Sequence, residues 1–531
     1  MNRNNSLRNI LLPLLLAAAL VSGILIGMYL PLQNRGQQQS FLRSKTDKIS
    51  NILNIIESDY VDTIDRSDLV ESAIPAILKK LDPHSVYIPA KDFTRANEPL
   101  QGNFEGIGIS FNMLTDTILV ISTIPGGPSE KIGLQAGDKI LFVNDSLVAG
   151  KGISDNEVMG LLKGPRGTVV RVKILRKGYK NLLSFSITRD KIPIYSVDVA
   201  YMVNSNTGYI KINNFAITTF DEFMKGLRDL KSRGMTKLIL DLRGNSGGVM
   251  EAAIQISNQF LGTGQLIVYT EGRSYPRSES RASGKGEFET GDLVVLMDEW
   301  SASASEILAG AIQDNDRGTI IGRRSFGKGL VQEPVDFPDG SGMRLTIARY
   351  FTPTGRSIQK PYNNGYDEYF DLSSRIDRRE NETQDSINLS DTLKYLTQGG
   401  RTLYGGGGIE PDIFIPYDTS EVSAYFLKVR PLIYTFSLKH TESNRLTLKK
   451  FSEAGELERY LDRQGLLDQF TRYASENGVM PDPRGLKISG RVIHTQLKAY
   501  IARNILDNKG FYPIWEKIDT TLKYAIEFLE K

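Results

Sequence analysis

Between Gly208 and about Tyr350 the chain switches repeatedly between two hydrophobic patterns, and this switching restricts the fold more than any other feature. Residues 209–212 read as a strand, and 238–240 and 293–297 are short apolar runs of strand length. Between them Phe220, Phe223, Leu227 and Leu230 recur at helical spacing and stop at Gly234, while Thr219-x-x-Glu222 has the form of a capping box. Residues 250–260 and 305–312 read as two further helices. Strand and helix in strict alternation predict an α/β layered core.

The rest of the chain has a different character. Residues 103–190 carry short β-branched runs at 106–111, 118–124, 139–143 and 168–175. Pro125-Gly126-Gly127, Ala136-Gly137-Asp138 and Gly164-Pro165-Arg166-Gly167 separate them, which predicts a small β-rich module with one longer helix at 154–162. Residues 46–80 read as a helical pair, with Ile49, Ile52, Ile55 and Ile56 and then Leu69, Ile74, Ile77 and Leu78 at helical spacing; the segment Leu81 to Ser85 ends it at Pro83. Residues 361–404 are polar and read as a mobile insertion. Residues 421–531 read as mostly helical, with Leu457, Leu461, Leu466, Leu467 and Phe470 as core candidates.

At the N-terminus, Arg3 and Arg8 precede an uncharged stretch from Ile10 to Leu30. About 20 apolar residues suffice to cross a hydrocarbon core. The stretch reads as a retained anchor with the body exported, or as a cleaved signal peptide, which exports the body equally. A Gln-rich linker, 33–45, follows. Lys+Arg against Asp+Glu leaves a net charge of +3, which argues against a nucleic-acid binder. With no cysteine, disulfides, thiolate metal sites and a lipidated N-terminal cysteine are excluded.

Four constellations carry candidate chemistry. Ser301-Ala302-Ser303-Ala304-Ser305-Glu306 follows a buried strand and a tight turn and opens a helix, where free N–H groups favour an alkoxide or oxyanion. Ser303-x-x-Glu306 is equally a capping box. The three histidines, His84, His440 and His494, are remote in sequence, so a lysine is the more accessible base. Lys328, in Gly327-Lys328-Gly329, has apolar neighbours Phe326, Leu330 and Val331, and burial lowers a lysine pKa. The same stretch nearly matches a phosphate-binding loop, but Gly329 lacks the hydroxyl, and residues 330–334 read as a strand stopped by Pro334. Asp241-Leu242-Arg243-Gly244-Asn245-Ser246-Gly247-Gly248 ends a strand in a glycine-rich turn that could offer one side of an oxyanion hole. Gly106-Ile107-Gly108-Ile109 could present N–H groups to a terminal carboxylate, with the following strand edge pairing a peptide.

Taken in order, these elements resemble the C-terminal processing peptidases, or tail-specific proteases, from about Asn51 to Asp412. Leu81 to Tyr87 is similar to that family's segment before its PDZ domain, and Pro128 to Asp138 to a PDZ helix and turn. Thr352-Pro353-Thr354-Gly355-Arg356-Ser357-Ile358-Gln359 and Gly408-Ile409-Glu410-Pro411-Asp412 also fit. The resemblance implies Ser303 as nucleophile and Lys328 as general base, with Gln332 orienting the lysine. It implies Gly247, Gly248 and the Ala304 N–H as the oxyanion hole, Asp314 in a supporting role, and Gly106, Ile107, Gly108 and Ile109 as the peptide-binding loop. The implied layout is a signal anchor or signal peptide at 1–32, a linker and helical segment at 33–102, and a PDZ domain at 103–190. A crotonase-like (ClpP-like) α/β protease core follows at 191–420, interrupted by the 361–404 insertion, then a helical extension at 421–531 for which the resemblance implies no role. No metal or cofactor is expected. The expected partners are unstructured C-terminal tails of exported proteins and, through residues 10–30, the inner membrane of a bacterial cell envelope, with the body in the periplasm; self-association and a regulatory partner are left open. The rival reading is a PDZ scaffold or chaperone that holds tails without cutting them.

Overall fold

The computed structural model describes residues 19–22, 48–113, 116–363, 365–372 and 394–531. These fall into two units, residues 1–81 and 82–531. In the first, the helices Lys48–Asp59 and Arg66–Leu78 follow the predicted periodicity, and Asp65 caps the second by accepting from the Ser67 N–H at 2.7 Å. No residue of Lys48–Asp59 is buried. Apart from 19–22, the apolar stretch 10–30 lies outside the described residues, as does the 33–45 linker. Among the described residues no helix is long and apolar enough to cross a membrane.

The second unit is organised around a six-stranded sheet in the order Val197–Met202, Thr207–Ile212, Lys237–Asp241, Asp292–Met297, Thr319–Gly322 and Ile413–Phe414. The first pair is antiparallel and the rest are parallel. Period-two alternation divides its side chains between two cores. Leu238, Leu240, Leu293 and Val295 pack with the helices Thr219–Ser232, Met250–Ser257 and Ala304–Asp314 on one face. Ile239, Val294, Leu296 and Ile321 face the other way and are covered by Leu522, Ala525 and Leu529 of the last helix, Thr520–Glu530. The end of the chain therefore closes the second face of the sheet, which gives the helical extension a structural task.

Two sequence expectations are corrected here. Thr219 and Glu222 form no capping box: the helix is capped at Thr218 without a side-chain bond. Instead Thr219 Oγ1 accepts from the Ala216 N–H at 2.7 Å, and Glu222 accepts from the N–H groups of Ser196 and Val197 at 2.7 and 3.0 Å, tying the helix to the first strand. Nor does Pro334 stop its strand, which runs Leu330–Asp336. Among the described residues this strand pairs with Gly342–Phe351 alone, which makes it an edge strand, where a proline is tolerated. Gly342–Phe351 belongs to a second sheet with Val86–Ile88, Leu266–Glu271 and Ser278–Arg281.

Residues 109–188 form a separate antiparallel sheet in the order Ile109–Met113, Ile118–Thr123, Lys139–Val143, Val169–Leu175 and Leu183–Thr188, with Ser146–Leu147 beside Lys139–Val143. The helix Asp155–Leu162 packs on it, fixed by a capping box between Ser154 and Glu157. Ile118–Thr123 is apolar on both faces: Ile118 and Val120 enter this module's core, while Leu119 and Ile121 pack on Leu438 of the helix Ala424–Leu448. The C-terminal helices have their own core, in which Leu457, Leu461, Leu466 and Phe470 are fully buried and Leu467 is partly buried.

Candidate active site

Ser303 stands between Asp292–Met297 and the helix Ala304–Asp314, at φ 55° and ψ −113°, a backbone conformation that a residue with a Cβ rarely adopts. The alternating serines explain how it is held. Ser301 Oγ donates to the Leu242 carbonyl at 2.9 Å, and Ser305 Oγ to the Asn245 carbonyl at 2.9 Å. Both outer serines are buried and fasten this turn to the glycine-rich 242–248 turn, leaving the middle serine partly exposed. The expected carboxylate half of the capping box is present, since Glu306 accepts from the Ser303 N–H at 2.7 Å.

The glycine-rich turn meets the serine at close range. A Cβ on Gly247 would lie 2.7 Å from Ser303 Cβ and 2.9 Å from the Ala304 nitrogen, and its φ of 99° also demands glycine. The two glycines have different duties. The Gly247 N–H donates to Asn245 Oδ1 at 2.9 Å, so it is already engaged. Phe215 bridges in parallel with Gly248 by bonds to the Gly247 carbonyl and from the Val249 N–H, and neither uses the Gly248 N–H. Gly247 is therefore the close-approach position; Gly248 lines the cavity, whereas Ala304, the first residue of its helix, is fully buried and does not.

Lys328 reaches the same cavity, about 720 Å³ in volume, whose wall includes Gly247, Gly248, Ser303, Lys328, Gln332 and Tyr350. Its Nζ donates to Gln332 Oε1 at 2.8 Å. Gln332 Nε2 in turn donates to the His84 carbonyl. Burial first, and the nearby Arg344 guanidinium second, bring the Lys328 pKa down to about 8, against the pull of Glu306 and Asp82. Gly329 is followed by the strand Leu330–Asp336 and not by a helix, so the phosphate-loop reading fails in its context.

Three contributors were not legible from spacing. His84 lines the cavity despite its distance in sequence. Its Nε2 is 2.9 Å from the Tyr369 hydroxyl, and burial and Lys328 bring its pKa down to about 3, so the ring stays neutral. Tyr369 and Phe370 come from the insertion read as mobile; the helix Tyr366–Phe370 is in fact ordered against Phe326 and His84, and Phe370 lines the cavity. Residues 373–393 of that insertion lie outside the described residues. Glu306, read as a cap, is fully buried and serves both loops of the site.

Asp314 and Gly106 to Ile109 do not line the cavity. Asp314 ends the helix that Ser303 opens in a fully buried pair with Arg356 at 2.7 Å, and accepts from Thr354 Oγ1 at 2.6 Å. This holds the 352–359 loop, whose Gln359 Oε1 accepts from the Gly329 N–H at 2.8 Å beside the lysine. Gly106 ends the strand Asn103–Gly106, and Gly108 takes φ 72°. Ile107 is buried in the module core and its carbonyl accepts from Ser129 Oγ at 2.6 Å. Ile109 opens a strand at the edge of that sheet, with no strand on its outer side among the described residues.

Comparison with known proteins gives the same family. The profile of Peptidase family S41 matches residues 206–365, that of the PDZ domain 106–187, and that of the activating protease CtpB N-terminal domain 28–92. A family of unknown function matches 425–507. The chain is 37% identical over 318 residues to the carboxy-terminal processing protease CtpA of Bacillus subtilis strain 168, covering 60% of this chain and 67% of that protein. It is 35% identical over 348 residues to a carboxy-terminal-processing protease of Bartonella bacilliformis, covering 65% and 79%. Among solved structures, a photosystem II D1 C-terminal processing protease matches at 27% identity and a TM-score of 0.35, covering 69% of this chain and 87% of that one. With its S41 and PDZ segments in place, the chain belongs to the carboxy-terminal processing proteases, a family of serine-type peptidases.

Proposed function

We propose that the protein is an exported endopeptidase that takes hold of unstructured C-terminal tails and cuts peptide bonds with Ser303 and Lys328. The observation that carries this reading is the placement of a buried, acidified lysine, held by Gln332, in one cavity with a serine at a helix N-terminus. In the uncharged form Lys328 Nζ accepts the Ser303 Oγ proton as the oxygen attacks a peptide carbonyl. The N–H groups of Gly248 and Ala304 receive the oxyanion. Lys328 then returns the proton to the leaving amine; a water, deprotonated in turn by Lys328 Nζ, attacks the acyl carbonyl, and that proton passes to Ser303 Oγ as the ester bond breaks. Asp314 acts at a distance, through Arg356 and the 352–359 loop.

Tail capture is assigned to the 106–187 module: a peptide adds to the Ile109–Met113 edge, and the turn at Gly106 to Ile109 meets its carboxylate. The core reads as a crotonase-like spiral, in keeping with its parallel strands and helical crossovers. Export rests on Arg3 and Arg8 ahead of the apolar stretch 10–30 and places the body in the periplasm of a bacterial envelope, anchored or released.

The test is degradation of an unfolded protein with an apolar C-terminus, free or amidated, by the full chain and its S303A and K328A variants. Cleavage of the free-tailed substrate by the parent alone, slowed by amidation, is expected. Tail binding without cleavage by the parent would favour a scaffold, and cleavage surviving in both variants would place the active site elsewhere.

A further inference from the structure

Glu306 makes bonds that neither its capping role nor the Ser–Lys chemistry explains. It is 0% exposed, three residues into the nucleophile's helix. Its Oε2 accepts from the Ser303 N–H at 2.7 Å and the Lys328 N–H at 2.9 Å. Its Oε1 accepts from the Gly327 N–H at 2.7 Å and the Ser325 hydroxyl at 2.5 Å. One carboxylate thus joins the backbone of the nucleophile to the backbone of the base, reaching a partner 22 residues from Glu306 in sequence. A carboxylate has about four acceptor positions, and four donors fill them. The Tyr350 hydroxyl makes a parallel bridge, donating to the Lys328 carbonyl at 2.6 Å and lying 3.1 Å from the Ser303 carbonyl.

We propose that Glu306 is a positioning residue for the Ser303–Lys328 pair and is required in its ionised form. The carboxylate holds Ser303 in its strained turn and sets the 325–328 loop against it; protonation would add a hydrogen where four donors already converge. The inference rests on the Ser–Lys reading given above.

This requirement has a signature in pH. Burial raises the Glu306 carboxyl to about 7, against the hydrogen bonds that hold it down. Lys328 titrates near 8. Tyr350 and Tyr369 also face Glu306, and burial pushes both phenols up; Arg344, Asp82 and His84 face Lys328, and His84 is neutral above pH about 3. The competent state has Lys328 uncharged and Glu306 charged. As pH falls, activity is first lost through Lys328, with a slope of one in log(kcat/KM), and then through Glu306 as well, with a slope of two.

The experiment measures kcat/KM of the full chain against a peptide substrate from about pH 5 to 10, for the parent, E306Q, S325A and K328A, with melting temperatures in parallel. K328A reports on the underlying reading, since activity surviving there fails the Ser–Lys assignment and not this one. For E306Q the expected result is about a tenfold or greater loss at the plateau, a single slope of one, and an acid limb moved to lower pH, because Lys328 has lost a neighbouring negative charge. A scaled copy of the parent's profile, or unchanged activity, would overturn the proposal. Should E306Q not fold, S325A decides. Loss of the hydroxyl donor raises the Glu306 pKa, so the onset of the slope of two is expected at higher pH; an unmoved onset would overturn the proposal.

Discussion

Replacing Lys328 with methionine should make the protein more stable at neutral pH while abolishing its activity. An uncharged lysine is worth having in this site because it is costly to bury as a cation. Lowering its pKa from 10.5 to about 8 corresponds to roughly 3 kcal/mol, at ~1.36 kcal/mol per factor of ten. Folded Lys328 binds its proton less tightly than the unfolded chain does. The penalty is therefore fully present below pH 8 and is relieved as pH rises toward 10.5, a range over which the parent gains stability. K328M removes the penalty and forfeits the bond to Gln332, worth about 1 kcal/mol. The net gain at pH 7 is about 2 kcal/mol, or roughly 4–8 °C for a domain of this size. The assay is calorimetric melting of parent and K328M from about pH 6 to 10.5. The advantage of K328M should shrink steadily above pH 8 and vanish or reverse near 10.5. A variant that is less stable at pH 7, or a difference that does not change with pH, would refute burial as the source of the lysine's lowered pKa.

G247A should lose at least about a hundredfold in kcat, since its Cβ would press on Ser303 Cβ and the Ala302 carbonyl at 2.7 Å, misplacing the reacting groups; steady-state kinetics of the folded variant decides this. R356A leaves Asp314 buried without its partner and should cost about 3–5 kcal/mol, read as a lower urea midpoint, with a fall in kcat because Gln359 loses its seat. L522A should cost about 2–5 kcal/mol, because Leu522 fills the second face of the central sheet; an unchanged midpoint would mean that the last helix is not part of the core.

Local pattern carried much of this structure into the sequence. The strand runs at 209–212, 238–240 and 293–297 are found as strands, and Ser154 opens the one longer helix of the β-rich module as expected. Helix start, small neighbours and apolar flanks are local signals that made Ser303 and Lys328 candidates, their roles came from the family resemblance, and both line one cavity. Features built from distant segments were hidden. Nothing around Glu306 distinguishes a cap from a link between two loops, because its other partners lie 19 to 22 residues away. His84 and Tyr369 are 285 residues apart and meet at the cavity wall. Pro334 was misread because the sequence does not say which side of a strand goes unpaired. The spacing of Leu522, Ala525 and Leu529 predicts an apolar helix face but not the sheet that it covers.

The central claim is that Ser303 is a nucleophile activated by an uncharged Lys328. The most direct measurement is the rate and site of covalent labelling of the full chain by a fluorophosphonate, followed by peptide mass spectrometry across pH. A single adduct on Ser303, forming at a rate that rises through pH about 8 and absent from K328M, is the predicted result. An adduct on another residue, or labelling of Ser303 that is indifferent to pH and to Lys328, would contradict it.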